Sequence, residues 1–282
     1  LNNMLQLIKI ELLKILTKPR SFIGFAAITA IVAIIQFALF VDGKNYLSFI
    51  TQQIEQSFIL QGNILNGNLV AFIILQTLIV QMPLLVALVT GDLVSGETAS
   101  GTIRLLLTKP FTRGQILFAK LFAGSVYTLL LILWLGVLAL VGGWILFGKG
   151  DLIVLSSDHI SILQQADVLW RFMAALVVAF ISLSVVTAFS LMLSCFTDNS
   201  IVPIVACMTI IIIFTIIGTM DIPLFDYVKP FLFTTHMIIW RNLFEDPLPK
   251  MQIIKSISIM LIYIFVFLFI GFTHFNRKDI QA

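Results

Sequence analysis

The chain has 282 residues, 60% of them hydrophobic and 25 of them Phe, with a mean hydropathy of +1.08 and a formal net charge of +3. Soluble domains average roughly 45–50% apolar residues, so this chain carries more nonpolar side chains than one aqueous core can hide, which excludes a soluble enzyme or regulator. It also lacks the basic patch interleaved with aromatics that binds nucleic acid.

Residues 1–18 set Leu1, Leu5, Ile8, Leu12, Ile15 and Leu16 at helical spacing, with Lys9, Glu11, Lys14 and Lys18 mostly turned away from them. This pattern predicts an amphipathic helix lying along the membrane interface. Pro19 ends it, and 21–41 is the first crossing, about the length that roughly 30 Å of hydrocarbon requires. Residues 42–67 are polar and predict an external loop with one helix around 47–58. The second crossing, 68–91, is interrupted by Gln76, Gln81 and Pro83; the proline predicts a kink, which neighbouring helices make tolerable. A charged loop covers 92–114, the third crossing 115–147, a polar loop 148–167 and the fourth crossing 168–196.

Thr187, Ser190 and Ser194 share one face of that fourth helix. They read first as a close-packing face; the other reading makes Thr187 and Ser190, with Gln76 and Gln81, part of a substrate path. The turn at 197–200 is so short that the fifth crossing, 201–219, must run antiparallel beside the fourth. Residues 221–255 contain Pro223, Pro230, Pro247 and Pro249 between apolar pieces too short to span, which predicts an external, re-entrant or interfacial hairpin. The sixth crossing is 256–275, followed by a charged tail. The fold class is an all-α membrane protein with six transmembrane helices.

Several chemistries are missing from this pattern. Cys195 and Cys207 fall in or beside apolar helices and read as small core residues. His159, His236 and His274 lack metal-ligand spacing, so no metal site is expected. The stretch 143–150 approaches a phosphate-binding loop but ends in Gly150, where a Ser or Thr hydroxyl should hold magnesium, and it follows a membrane helix. No crossing carries a midplane charge of the kind that drives pumps and ion-coupled carriers. The expectation is a chain that is not an enzyme and whose energy comes from elsewhere.

The loop 92–114 concentrates Asp92, Glu97, Arg104, Lys109 and Arg113, with Lys120 just beyond, in a chain only 11% charged. Gly96 and Gly101 bracket an acidic turn, 102–107 predicts a short helix stopped by Pro110, and Thr112 with Gln115 predicts a capping box. The order Glu97, Gly101-Thr102, a leucine-rich turn at 105–107, Pro110, Arg113 and Lys120 resembles the loop between the second and third helices of ABC-2 type permeases. These are the membrane subunits of one class of bacterial ABC transporters. The layout of the remaining elements extends the resemblance over most of the chain.

The resemblance implies that Glu97, Gly101, Thr102 and Arg104 lie in or beside a coupling helix that docks on a separate ABC ATPase. Pro110, Arg113 and Lys120 would mark its exit and the base of the third helix. It implies a working unit of two ATPase copies and two permease copies, a homodimer or a related heterodimer, usually exporting substrate. ATP and magnesium would be bound by the ATPase, with no cofactor in this chain. It also implies the bacterial cytoplasmic (inner) membrane, with both termini cytoplasmic; the distribution of Lys and Arg is weakly biased in that direction. Two other classes fit a polytopic chain: an ion-driven secondary transporter or channel, against which the missing midplane charges speak, and a non-transporting membrane scaffold.

Overall fold

The computed structural model describes residues 2–55, 65–103, 111–155 and 160–278. Helix α1 (Asn2–Thr17) stops just before Pro19, and that proline opens α2 (Pro19–Glu55), where its missing N–H is no loss. Helix α2 continues past the expected end of the first crossing at 41, bending at Asp42 (φ −127°, ψ 16°). The expected loop 42–67 therefore begins as helix, and its residues 56–64 lie outside the described residues.

The second crossing is broken. Helices α3 (Gly67–Ile79) and α4 (Met82–Thr90) part at Val80 and Gln81, because Pro83 cannot donate to the carbonyl of Ile79. The Gln81 N–H turns instead to the Leu78 carbonyl at 2.9 Å. After a turn at 91–94 comes α5 (Ser95–Ala99), then α6 (Arg113–Phe147). The capping box at the start of α6 is formed as expected: Gln115 N–H donates to Thr112 Oγ1 (3.3 Å), and Thr112 N–H donates to Gln115 Oε1 (3.0 Å).

The polar loop at 148–167 contains two short strands within an otherwise helical structure, consistent with the all-α class. Strands β1 (Leu152–Leu155) and β2 (Ile160–Leu163) pair antiparallel, with Leu152 opposite Leu163 and Val154 opposite Ser161. Those four side chains are buried while Ile162 is exposed, the two-residue alternation of a sheet with one covered face. At the same end, the Gly67 N–H donates to the Gly148 carbonyl (2.8 Å), Asn66 Nδ2 to that of Asp151 (2.7 Å) and Asn68 Nδ2 to that of Gly150 (2.6 Å). Trp144 Nε1 in turn donates to Asn68 Oδ1 (2.8 Å). An amide clasp thus joins α3 to α6 where both lack side-chain bulk, at Gly67 and Gly143.

Helix α7 (Gln165–Phe196) is buried on most of its circumference and forms the centre of the bundle; α8 (Val202–Thr219) has few buried residues and lies at its edge. Between α8 and α11 (Lys250–Arg277) run α9 (Pro223–Asp226), a 3-10 turn at Lys229–Phe231, α10 (Phe233–Met237) and a 3-10 stretch at Ile238–Phe244. These pieces pack inward: the Phe244 ring lies 5.1 Å from Phe72 of α3 and 4.9 Å from Phe172 of α7. Helix α11 starts directly after Pro249, six residues before the expected 256.

Among the described residues, six helices are long and apolar enough to cross a membrane: Pro19–Gly43, Met82–Ala99, α6, α7, α8 and α11. The chain is a multi-pass helical membrane protein. For the second crossing, Met82–Ala99 would carry Asp92 and Glu97 into hydrocarbon. Taking α3 with α4 instead gives a rise of about 36 Å and leaves both carboxylates beyond the apolar layer.

Candidate functional site

The polar segment after α4 is held from three directions. On α1, Leu7, Glu11 and Ile15 recur every four residues and are all at least 98% buried, so Glu11 sits on the inward stripe and not, as its charge suggested, on the polar face. It finds a partner there. Lys120, about two turns beyond the start of α6 and equally enclosed, places Nζ 2.8 Å from Glu11 Oε2 and 2.7 Å from Glu97 Oε2 of α5. Lys14 closes the ring from outside, 2.8 Å from Glu11 Oε1 and 2.7 Å from Glu97 Oε1.

Two acids and two lysines therefore alternate around a four-membered ring linking α1, α5 and α6. Burial alone would lower the Lys14 pKa, but its hydrogen bonds to Glu11 and Glu97, and their charge, outweigh burial and raise it. A second pair of cations holds the turn before α5: Lys18 Nζ lies 3.0 Å and Arg20 Nη1 2.8 Å from Asp92 Oδ2. Gly96 stands so close to the Asp92 carboxylate that a Cβ there would collide with it.

Helix α5 is capped from another helix. Ser194 Oγ, on α7, accepts the N–H groups of Val94 (3.1 Å) and Ser95 (2.9 Å) and donates to Ser95 Oγ (3.1 Å). This satisfies backbone donors that the apolar Val94 at the helix start cannot. Beyond α5, Gly101 takes φ +70°, a backbone conformation that suits glycine. The exposed Thr102 hydroxyl lies 2.9 Å from that of Ser100. Arg104 and Pro110 lie outside the described residues.

The sequence-derived site residues fall into separate places. Glu97 and Lys120 touch, and Gly101 and Thr102 follow on the next turn. Arg113 faces elsewhere: its Nη1 donates to the carbonyls of Phe275 (3.0 Å), Asn276 (3.0 Å) and Lys278 (2.8 Å), covering the C-terminal end of α11. Lys278 similarly pairs with Asp198 (2.6 Å) and donates to the carbonyl of Cys195 at the end of α7.

Thr187 and Ser190 are fully buried, with Thr187 Oγ1 2.9 Å from Thr128 Oγ1 of α6 and Ser190 Oγ 2.5 Å from Thr90 Oγ1 of α4. In this state they are hydroxyl fasteners between helices. Gln76 is half-buried on α3, and Gln81 is exposed at the break; Gln81 and Thr90 are separated along the chain by roughly 13 Å of rise. Glu11, Lys14, Lys18, Arg20, Asp92 and Ser194 belong to the site but were missed as site residues. The signal for Glu11 was its place midway between Leu7 and Ile15.

Residues 29–281 match the family described as "Protein of unknown function (DUF2705)", which covers most of the chain. The chain belongs to that family. Within it, α1 and the ring residues Glu11 and Lys14 precede the stretch that defines DUF2705, whereas Asp92, Glu97 and Lys120 lie inside it. This DUF2705 chain is also similar to the uncharacterized protein YhcI of Bacillus subtilis (strain 168), at 28% identity over 185 residues, 64% of this chain. The match spans 58% of the length of that relative.

Proposed function

We propose that this chain is the membrane-spanning permease subunit of an ABC transporter of the ABC-2 type, moving substrate outward by alternating access that a separate ATPase drives. The observation that carries the reading is the ion-pair ring. It fastens the polar segment carrying Glu97 to the third crossing through Lys120 and to the interfacial helix through Glu11 and Lys14.

A force applied to that segment by a docked partner is thereby delivered to α4, α6 and α1 together, as rigid-body switching requires. In this reading both termini and the 92–114 loop face the cytoplasm, and Gly101, Thr102 and Arg104 meet the ATPase, which holds ATP and magnesium. Two permeases, identical or related, and two ATPases form the working unit. The short helices at 221–249 form a re-entrant or interfacial hairpin on the opposite side.

The test combines topology and partnership. Cys195 and Cys207 are both buried, so a Thr102→Cys variant offers one accessible thiol. A membrane-impermeant maleimide should label it in inside-out vesicles and not in intact cells. Affinity-tagged protein purified from its native membrane should carry a subunit that azido-ATP labels, and Glu97→Lys should release that subunit. Labelling of Thr102→Cys from outside the cell, or purification of an active chain free of any ATP-binding subunit, overturns the proposal. Transport that follows an ion gradient without ATP would establish the secondary-transporter reading instead.

A further inference from the structure

Helices α6 and α11 enclose an apolar groove of about 330 Å³ at the end of the bundle that carries the ion-pair ring. Gly114, Leu117 and Leu121 form one wall and Phe265, Phe269 and Phe272 the other, and every lining side chain is apolar. Positions 114, 117 and 121 recur at helical spacing, so the groove follows one stripe of α6 for about 10 Å from the helix end into the membrane. Gly114 permits this shape. A Cβ there would lie 2.7 Å from Cε2 of Phe272 and close the groove at its end.

The end of the groove is cationic. Arg113 precedes Leu117 by four residues and so lies on the same stripe, one turn nearer the helix start. Only its Nη1 is committed, to the α11 carbonyls, and it has no carboxylate partner among the described residues. Arg277, exposed at the end of α11, likewise has none among the described residues. The capping box satisfies the N–H of Gln115, while those of Arg113 and Gly114 have no partner among the described residues. The positive end of the α6 dipole adds to the same field.

We infer that this groove seats one acyl chain of an anionic phospholipid, whose headgroup phosphate is held by Arg113, the first-turn N–H groups of α6 and Arg277. The groove opens on two membrane-crossing helices, where the surrounding medium is lipid. Its wholly apolar lining matches a hydrocarbon chain, and the charge at its mouth matches an anionic headgroup. The site does not rest on the transport reading and would exist in a scaffold as well.

The test uses purified full-length protein in phosphatidylcholine vesicles containing a trace of phosphatidylglycerol or phosphatidylcholine with a photoreactive diazirine in the acyl chain. Cross-linked peptides are mapped by mass spectrometry. Peptides covering 114–121 and 265–272 should be labelled about fivefold or more strongly by the anionic probe. Leu121→Trp and Phe118→Trp each fill the groove and should remove that label while label elsewhere persists. Phe118 is 52% exposed, so its variant keeps the test intact if Leu121→Trp fails to fold. Arg113→Gln with Arg277→Gln should keep the label but bring the two probes to equality.

Equal labelling of the unaltered protein by both probes would mean ordinary boundary lipid and overturn the inference. So would labelling that survives both tryptophan variants. Chain-to-chain cross-links at Phe269 in place of lipid label would mean that a second copy covers the groove, which also overturns it.

Discussion

Replacing Lys120 by methionine keeps the side chain's length and bulk and removes its charge. Its Nζ lies within 2.8 Å of carboxylates on both Glu11 and Glu97, with the three side chains 1%, 2% and 10% exposed. Removing one member of so enclosed a set leaves two carboxylates facing each other across Lys14 alone. Loss of a partner from a buried pair costs roughly 3–5 kcal/mol. Lys14 makes the same number of ion pairs but is 39% exposed, so Lys14→Met should cost about 1 kcal/mol or less.

The expected order, Lys120→Met far more damaging than Lys14→Met, follows from burial and not from the count of contacts. The double variant Lys120→Met/Glu11→Gln should be better than the sum of its single changes by about 1 kcal/mol or more, since it removes the stranded charge along with its partner. Unfolding by sodium dodecyl sulfate titration in mixed micelles, followed by tryptophan fluorescence, compares Lys120→Met, Lys14→Met, Glu11→Gln and the double variant with the unaltered protein. Equal shifts for the two lysine variants, or additivity within about 0.5 kcal/mol, would refute the reasoning.

Other perturbations test other seams. Gly67→Ala would set a Cβ 2.6 Å from the Gly143 backbone, which cannot rotate away; a loss of roughly 1–3 kcal/mol or more is expected in the same titration. Arg171, 6% exposed, donates from Nη1 to the carbonyls of Leu243 (3.0 Å) and Glu245 (2.8 Å), so Arg171→Met should cost roughly 1–3 kcal/mol and speed proteolysis of 238–249 in detergent. Ser194→Ala should loosen α5 by about 1 kcal/mol, read as faster amide exchange at Val94 and Ser95, while Ser184→Ala, whose hydroxyl bonds only within its own helix, should change nothing there. Because the Lys14 pKa is raised in the folded state, its contribution is complete below its unfolded value near pH 10.4 and is lost as pH rises through the higher folded one. As pH rises above that unfolded value, stability should therefore fall more steeply in the unaltered protein than in Lys14→Met.

The crossings were legible because their signal is local: runs of apolar residues interrupted by proline and closed by polar turns. Pro83 announced the break before it, and Thr112 with Gln115 announced the start of α6. The strands at 152–163 escaped notice because each has only four residues, too short for alternation to stand out between polar neighbours. Glu97 and Lys120 could be named from their order in the chain, but their contact could not. It depends on Glu11, whose charge argued for the solvent face while its spacing argued for the inside. Ser194 illustrates the same limit: the side chain that caps α5 sits 99 residues away from Ser95, and no local pattern connects them.

The pairing of Glu11 with Lys120 also spans a long stretch of chain. The carboxylate is synthesised 109 residues before the ammonium that neutralises it. A lysine entering the bilayer edge by itself resists insertion by up to about 3 kcal/mol near mid-membrane and less toward the surface. In the folded protein Glu11 supplies a counter-charge at 2.8 Å, so a residue of α1 offsets part of the penalty for a lysine 109 residues further along the chain.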